Sequence, residues 1–422
     1  MRSLRSAGAM AALLSIAVVG CGSASASPGA TASPTPPAIA TPTASPNSTP
    51  TASPNPTASP NPTATASPTA SPSPTPAPTA SGQLLLYYVP PTSQGNYANG
   101  QVAVVGADGS GRRNIAKGVQ ASWSHDGSAI HVMTEDASCV PHLADYPAGG
   151  GPAQASPAKL KAGDYYFTWS PDDSQIVFTR LTHGMTAANC KGSNTDTMSL
   201  QQNLMVMNSD GTGLRTLAAN QPSVGRITWT PDGKTLVWAR WGAEDAWGPL
   251  ARVNVSSGTI TNFTSSKLQF GTVSISAVGS KIAYSVGDPN SQDQYTHVYI
   301  SNLDGSGKVS LGFTGTNDGD PVWSPDGSSL VFDRTSIDTG DEQLVVIRPP
   351  HTTASVVYTP VLPVDSPWPS IAWSPDSKKI ACLGATTPDT GVSTGIVVVG
   401  ANGTQPKTLA GTAGATNVSW QP

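Results

Sequence analysis

Apolar residues recur along the chain in short runs that repeat with a long period. The phrase PVWSPDGSSLVFDR at 321–334 has close relatives in ASWSHDGSAIHVMT, FTWSPDDSQIVFTR, ITWTPDGKTLVWAR and IAWSPDSKKIACLG. Aligned on the tryptophan, the units stand at 123, 169, 229, 275, 323, 373 and 420, with isoleucine at 275. Their spacings run from 46 to 60 residues, which is typical of propeller blades or a solenoid.

Each unit carries the same apolar pattern and the same turns. An isoleucine or leucine follows the tryptophan position by seven residues, and the neighbouring positions are also apolar, which indicates short strands buried on both faces. Ser-Pro-Asp-Gly between the first two strands is a turn, and a later Asp-Gly-Ser-Gly or Asp-Gly-Thr-Gly predicts a hairpin. We call the four strands A, B, C and D. Repeated units of four antiparallel strands predict an all-β fold, a β-propeller.

The two ends of the repeat region complement each other. The sequence from Leu84 to Val89 matches strand B and lacks a strand A, whereas the segment from Asn417 ends after strand A. Six internal units and one composite blade therefore predict seven four-stranded blades over residues 82–422. Closure of the ring removes the free sheet edges.

The W-[ST]-P-D-G phrase resembles the TolB-type, WD-repeat-like propeller repeat of bacterial envelope proteins, and the resemblance covers residues 82–422. It implies a propeller fold in an envelope protein. It does not imply one activity, because this fold hosts many unrelated functions.

Residues 1–21 have the pattern of an export leader. Two arginines precede a short apolar run, which is typical of a signal peptide and too short for a comfortable membrane span. The run ends in Val-Val-Gly-Cys and resembles a bacterial lipobox. The resemblance implies that Cys21 is acylated, becomes the mature N-terminus and anchors an extracytoplasmic protein to the bacterial cell membrane.

Residues 22–81 are almost entirely Pro, Thr, Ser, Ala and Asn. Such a segment lacks the large apolar side chains that would offset chain ordering, so we predict a disordered stalk. In the whole chain only 11% of residues are charged and the formal net charge is -4. No basic field is present to attract nucleic acid, and we expect a monomer without a nucleic-acid partner.

Three arginines share one position of the repeat, eleven residues after the tryptophan at the end of strand B: Arg180, Arg240 and Arg334. Equivalent positions in a ring face the same rim. The arginines either pair with loop carboxylates such as Asp333 or Glu244, or form a partial ring of donors for an anion or peptide.

The B–C loops and the D-to-A connections lie on one face of the propeller, opposite the Ser-Pro-Asp-Gly turns. These loops account for most of the difference in length between the units. This face collects Trp241, Trp247 and Trp368 together with acidic residues. Aromatic anchors among polar groups are typical of binding hot spots, so these tryptophans are candidate partner contacts. The alternative is that they cap the core.

The cysteines permit one predicted disulfide. Cys139 and Cys190 follow strand B of adjacent units, and an exported protein meets oxidising conditions, so we predict that they pair. Cys382 occupies a core position of strand B and is predicted to be a buried free thiol.

Candidate chemistry is weak elsewhere. The six histidines lack paired metal-ligand spacing, and Gly391 to Gly395 matches a nucleophile-elbow pattern without a hydrolase domain to hold it. We therefore expect no metal, no cofactor and no catalytic residues. The leading hypothesis is a lipid-anchored module that binds an envelope protein or peptide, or acts as a scaffold. The alternatives are a propeller enzyme of the lyase or hydrolase kind and a glycan or cell-wall binding module.

Overall fold

The computed structural model describes residues 83–90, 100–182, 201–221, 224–241, 247–262, 269–278, 280–287, 296–311, 315–349, 353–359, 371–384 and 393–422. For 224–226, 239–241, 247–248 and 269–271 the description covers the backbone only. The predicted leader and stalk, residues 1–81, lie outside the described residues.

The described chain forms 28 strands and no helix, so none of its elements is a helix that could cross a membrane. In chain order the strands are β1 (Leu84–Val89), β2 (Gly100–Gly106), β3 (Arg113–Gly118), β4 (Gln120–Trp123), β5 (Ala129–Glu135), β6 (Pro141–Pro147), β7 (Gln154–Ala155), β8 (Asp164–Trp169), β9 (Gln175–Leu181), β10 (Gln202–Asn208), β11 (Arg215–Gln221), β12 (Val224–Trp229), β13 (Thr235–Trp241), β14 (Trp247–Asn254), β15 (Ile260–Asn262), β16 (Gln269–Ile275), β17 (Lys281–Gly287), β18 (Thr296–Asn302), β19 (Val309–Ser310), β20 (Thr316–Trp323), β21 (Leu330–Ser336), β22 (Glu342–Ile347), β23 (Ser355–Tyr358), β24 (Ile371–Trp373), β25 (Lys379–Leu383), β26 (Ile396–Gly400), β27 (Lys407–Thr408) and β28 (Asn417–Trp420).

These strands make seven sheets of four strands each, and every paired neighbour is antiparallel. Blade 1 is β4–β7, blade 2 is β8–β11, blade 3 is β12–β15, blade 4 is β16–β19, blade 5 is β20–β23 and blade 6 is β24–β27. Each supplies strands A to D in that order. The predicted seven-bladed propeller is confirmed.

Blade 7 is the composite blade that the sequence predicts. Its order is β28, β1, β2 and β3, so the C-terminal strand takes the strand A position beside the first strand of the described chain. Asn417 Oδ1 accepts a hydrogen bond of 2.7 Å from the Tyr88 backbone N–H, which adds a side-chain contact to the pairing.

The repeated tryptophan sets the same register in each blade. Trp323 lies across from Leu330, and Trp420 lies across from Leu85 in the composite blade. The six tryptophans of the repeat are buried, with 6–7% of their surface exposed: Trp123, Trp169, Trp229, Trp323, Trp373 and Trp420. They belong to apolar clusters that join consecutive blades.

Each junction between neighbouring blades holds one such cluster, including the junction between blade 7 and blade 1. In that last cluster Tyr88 and Val104 from blade 7 pack with Trp123 and Ile130 from blade 1. Burial of apolar surface at every junction closes the ring, and closure leaves no junction with an open sheet face.

The A–B turns are fixed by their own side chains. In blade 5, Ser324 Oγ donates to Asp326 Oδ1 at 2.6 Å, and the Ser328 backbone N–H donates to the same oxygen at 2.9 Å. The same pattern recurs at Asp126, Asp172, Asp232 and Asp376. Hydrogen bonds to the charged form hold the pKa of each of these carboxyls below its usual value, that of Asp172 at about 2.

The strands alternate in direction, so the A–B and C–D turns lie at one end of the blades. We call this end the turn face. The B–C loops and the D-to-A connections lie at the opposite end, which we call the loop face.

Candidate functional site

An ion pair joins strands A and B of blade 2 at the loop face. Asp164 on β8 lies across from Arg180 on β9. Arg180 donates from Nε to Oδ1 at 2.6 Å and from Nη2 to Oδ2 at 2.8 Å, and Asp164 is fully buried. The Lys161 backbone N–H also donates to Oδ2, at 2.8 Å. Because one edge of the guanidinium group donates to both carboxylate oxygens, the pair fixes the two strand ends to each other.

Blade 5 repeats this arrangement. Asp318 on β20 is fully buried and accepts from Arg334 on β21, at 2.7 Å from Nε and 3.3 Å from Nη2. The guanidinium carbon lies 5.3 Å from the centroid of the Phe332 ring, and the distance from Arg180 to Phe178 is 5.4 Å. The aromatic contact adds a cation–π interaction to each pair.

A bulge in strand A brings each aspartate opposite its arginine. The register of β8 with β9 shifts between Tyr165 and Thr168, and that of β20 with β21 shifts between Gly319 and Val322. Tyr166 and Asp320, at the same position of the repeat, have φ of 54° and 40° inside these bulges. The one extra residue moves the aspartate by one place along its strand, and this re-aims its side chain toward the arginine.

The arginines predicted at the rim therefore have defined partners in two blades. The structure pairs Arg334 with Asp318 of strand A and not with Asp333, the carboxylate that the sequence suggested. Arg240 has only its backbone described: it lies on β13, across from Val224. Contact of the three arginines with a ligand stays a prediction.

The aromatic candidates lie partly outside the described chain. Trp241 ends β13 and Trp247 begins β14, and their backbones pair directly at the loop face. Their side chains, like the whole of Trp368, are outside the description. The pairing places two tryptophans of the sequence at one site on the loop face, and their role in binding stays a prediction.

Two carboxyl groups near the loop face of blade 5 lie in surroundings that disfavour their ionisation. Burial, reinforced by the nearby charge of Asp320, raises the pKa of Asp333 to about 7, and burial raises the pKa of Glu342 to about 7. Asp333 Oδ1 and Glu342 Oε2 are buried and have no hydrogen-bond partner. Carboxyls with raised pKa values cluster at functional sites, so this pair is the second candidate feature of the loop face.

At the loop face of blades 1 and 2, burial also raises the pKa values of two side chains. Burial, with a contribution from the charge of Asp136, raises the pKa of Glu135 at the end of β5. Burial also raises the pKa of Tyr165 on β8 to about 12, and the charge of Glu135 contributes to that shift. The two side chains are close enough to interact electrostatically across the junction.

Histidines and aspartates connect blades 1 and 2 near the turn face. His125 Nδ1 lies 2.8 Å from Asp173 Oδ1, and its backbone N–H donates to Oδ2 at 2.8 Å. His131 is buried, lies 2.7 Å from Asp145 through Nδ1, and stacks on Trp169 with ring centroids 4.3 Å apart. Within the described ranges, no group of three or more His, Cys, Asp or Glu residues has a geometry that could hold a metal ion. This network links two blades.

The serine of the nucleophile-elbow pattern has a hydrogen bond within the fold. Ser393 is buried, and its hydroxyl donates to the Ala415 carbonyl at 2.8 Å. The hydroxyl therefore joins the start of the β26 region to the segment that precedes β28.

Cysteines divide between bonded and free thiols. Cys139 is disulfide-bonded. Cys382 is a buried free cysteine as predicted, and burial raises the pKa of its thiol to about 12. Cys190 and Cys21 lie outside the described residues, so the pairing of Cys139 with Cys190 and the acylation of Cys21 stay predictions.

The fold resembles known propellers, although no protein-family model and no curated protein matches the chain. The β-propeller domain of the Trilobed protease from Pyrococcus furiosus is 13% identical, with a TM-score of 0.53 over 78% of this chain and 93% of that one. Oligogalacturonate lyase from Vibrio parahaemolyticus is also 13% identical, with a TM-score of 0.51 over 78% of this chain and 86% of that one.

TolB from Acinetobacter baumannii is 13% identical, with a TM-score of 0.48 over 81% of this chain and 67% of that one. The structural neighbours are thus TolB and other β-propellers. At these identities the likeness shows the fold alone. The Pyrococcus domain has an open velcro topology, whereas this chain pairs β28 with β1.

Proposed function

We propose that this chain is a lipid-anchored, extracytoplasmic β-propeller that binds an envelope protein or peptide on its loop face without catalysing a reaction. The observation that supports this most is the pair of buried ion pairs, Asp164 with Arg180 and Asp318 with Arg334. They fix the strand ends from which loops of different length leave. Variable loops on a rigid scaffold are the usual arrangement of a recognition surface.

The anchor rests on the sequence. The charged start, the short apolar run and the Val-Val-Gly-Cys ending support acylation at Cys21. A Cys21→Ser variant is expected to leave the membrane fraction when cells are separated into soluble and membrane parts. Unchanged membrane association of this variant would contradict the anchor.

The binding face is tested by capture from a native envelope extract. We expect the Trp241→Ala, Trp247→Ala double variant to keep its melting temperature and to lose the partner that the wild type recovers. Lys234→Ala, in an A–B turn on the opposite face, is the control and is expected to keep the partner. Capture by the double variant with wild-type affinity would rule out this surface.

A second candidate, a propeller enzyme, is favoured by one observation. Asp333 and Glu342 both have pKa values raised to about 7, near the value that suits a general acid or base at neutral pH. Envelope polysaccharides are the substrates to screen, with product detection by mass spectrometry. An activity that Asp333→Asn and Glu342→Gln each abolish without loss of folding would favour the enzyme over the binding module.

A further inference from the structure

A cavity of about 750 Å³ opens on the turn face where blades 5, 6 and 7 meet. Four cationic side chains line its described part: Arg348 after β22, Lys378 and Lys379 in the A–B turn of blade 6, and Lys407 at the start of β27. One carboxylate, that of Asp108, lies in the same lining. A concave surface with four cations and one anion stands out on a chain whose formal net charge is -4.

These cations are exposed and almost free of ion pairs. Among the ion pairs of the described residues, the one that includes a cation of the cavity joins Lys378 Nζ to Asp376 at 4.0 Å. Lys407 Nζ donates at 2.7 Å to the backbone carbonyl of Asp108 and not to its carboxylate. The positive charge is therefore available to a ligand.

The two carboxylates near these cations, those of Asp108 and Asp376, accept hydrogen bonds from donors within their own turns. Asp108 Oδ1 accepts from the backbone N–H of Ser110 at 2.8 Å and from its hydroxyl at 2.6 Å. Asp376 Oδ1 accepts from Ser374 Oγ at 2.6 Å and from the Lys378 backbone N–H at 3.1 Å. Oδ1 of each carboxylate therefore has its hydrogen bonds within the turn and does not require a cation of the cavity as a partner.

The turn itself does not require these lysines. Blade 5 forms the same A–B turn with Ser328 at the position of Lys378, and its backbone N–H makes the same bond to the turn aspartate. Lys-Lys occurs once in the sequence, at this turn of blade 6. Since serine makes the same turn, folding of the turn does not require the charge.

Volume and side-chain chemistry define the ligand. At about 30 Å³ for each water, the cavity holds roughly 25 waters, so a single phosphate ion fills a small part of it. Lysine and arginine side chains both bind phosphate oxygens, lysine as a compact point charge and arginine through two parallel hydrogen bonds. The described lining contains no aromatic side chain on which a neutral sugar or a base could stack.

We propose that this turn-face cavity binds a ligand with several phosphate groups along a chain, either an inorganic polyphosphate or a phosphodiester polymer. The site lies on the face opposite the proposed partner surface and does not depend on it. A variant that loses the loop-face partner is expected to keep this site.

The test uses titration calorimetry of the full-length folded protein with a short inorganic polyphosphate, and with inorganic phosphate as the monomer. We expect polyphosphate to bind and inorganic phosphate to bind far more weakly, since one ion reaches few of the four cations. Binding should weaken by tenfold or more between about 50 and 200 mM salt, because several ionic contacts are released together.

Matched variants separate the cavity from general surface charge. Lys378→Gln with Lys379→Gln is expected to weaken polyphosphate binding at least tenfold, and Arg348→Gln supplies a second, independent variant. Lys234→Gln is the control, because Lys234 has the same place in the A–B turn of blade 3 and its backbone N–H makes the same 3.1 Å bond to an aspartate. Unchanged melting temperatures show that the variants fold.

Four results would overturn the proposal. They are no polyphosphate binding by the wild type, equal loss in the Lys234 control, equally tight binding of inorganic phosphate, and binding only to vesicles that contain phosphatidylglycerol. The last result would assign the charge to a lipid surface. A competing phosphodiester polymer that displaces polyphosphate would support the polymer as the natural source.

Discussion

Carboxyl groups at the two ends of the blades experience opposite environments. At the turn face, Asp126, Asp172, Asp232, Asp326 and Asp376 accept hydrogen bonds from hydroxyl and backbone donors of their own turns, and their pKa values are lowered. Near the loop face, Asp333 and Glu342 have buried oxygens without hydrogen-bond partners, and their pKa values are raised.

The difference shows what each end does for the molecule. The turn-face carboxylates stabilise the fold in the charged state, because their bonds favour ionisation. The loop-face carboxyls cost stability when they ionise, because burial disfavours the charge. Asp136, in the B–C loop of blade 1, is an exception at the loop face, because hydrogen bonds from Val140 and His142 lower the pKa of its carboxyl. Groups that reduce stability and remain without partners are the ones to examine for function.

Breaking an ion pair tests the loop face most severely. Asp318→Ala removes the carboxylate that accepts two hydrogen bonds from the largely buried Arg334, and we expect a loss of about 3–5 kcal/mol in the free energy of unfolding. Chemical denaturation followed by circular dichroism measures it. The double variant Asp318→Leu, Arg334→Met should recover most of the loss. A loss below about 1 kcal/mol in Asp318→Ala would show that the pair does not hold the strands.

Neutralising Asp333 tests the cost of the unpartnered carboxyls. Its pKa in the folded protein, about 7, lies above the value for an unfolded aspartate, so the folded state binds the proton more tightly. That contribution is complete below about pH 4 and is lost as the pH rises toward and through 7. Asp333→Asn is expected to stabilise the protein by about 1–3 kcal/mol at pH 8 and to have little effect at pH 4.

The measurement is the melting temperature of the wild type and the variant between pH 4 and 8. The two curves should diverge as the pH rises. Parallel curves over this range would show that Asp333 ionises as freely in the folded chain as in the unfolded chain.

The smallest expected effect is at the turn face. Asp326→Ala removes the acceptor of the Ser324 and Ser328 bonds, and we expect a loss of about 1 kcal/mol at pH 7. Because the folded pKa of Asp326 is lowered, its contribution is present above the unfolded value and is lost as the pH falls below about 3.8. Equal destabilisation at pH 2 and pH 7 would contradict a role for the charge.

The repeat in the sequence predicts the blades because one residue controls the register. The tryptophan of strand A lies across from the apolar residue seven places on in five blades, and Ile275 does the same with Ile282 in a sixth. In the composite blade Trp420 lies across from Leu85, the matching residue of the N-terminal strand. The composite blade follows because the two chain ends supply complementary strands. These features depend on local pattern, which a sequence displays directly.

The ion pairs could not be derived in the same way. Without the bulge, the tryptophan register would place Tyr165 rather than Asp164 opposite Arg180, and Gly319 rather than Asp318 opposite Arg334. One extra residue in strand A decides the pairing. Tyr166 and Asp320 adopt the positive φ of this bulge, but a tyrosine or aspartate in a sequence does not predict a positive φ as a glycine does. The sequence does contain one signal for these pairs. Two units have an aspartate five residues before the tryptophan and an arginine eleven residues after it.

The turn-face cavity could not be predicted from the sequence for a different reason. Its cations come from separate places in the sequence, Arg348 after β22, Lys378 and Lys379 before β25, and Lys407 at β27. The low overall content of charged residues also gives no hint of a local excess. Only the packing of blades 5, 6 and 7 brings them to one opening.

The composite blade determines how the ring would bear mechanical tension. A pull on the chain that precedes Leu84 enters the ring at β1, a central strand, and not at the edge of a sheet. β1 pairs with β2 through six residues and with β28 through four. A force along this strand must shear it past two neighbours at once, whereas a load on an edge strand would meet one. A ring tethered by this end therefore resists extension at the same blade that completes its closure.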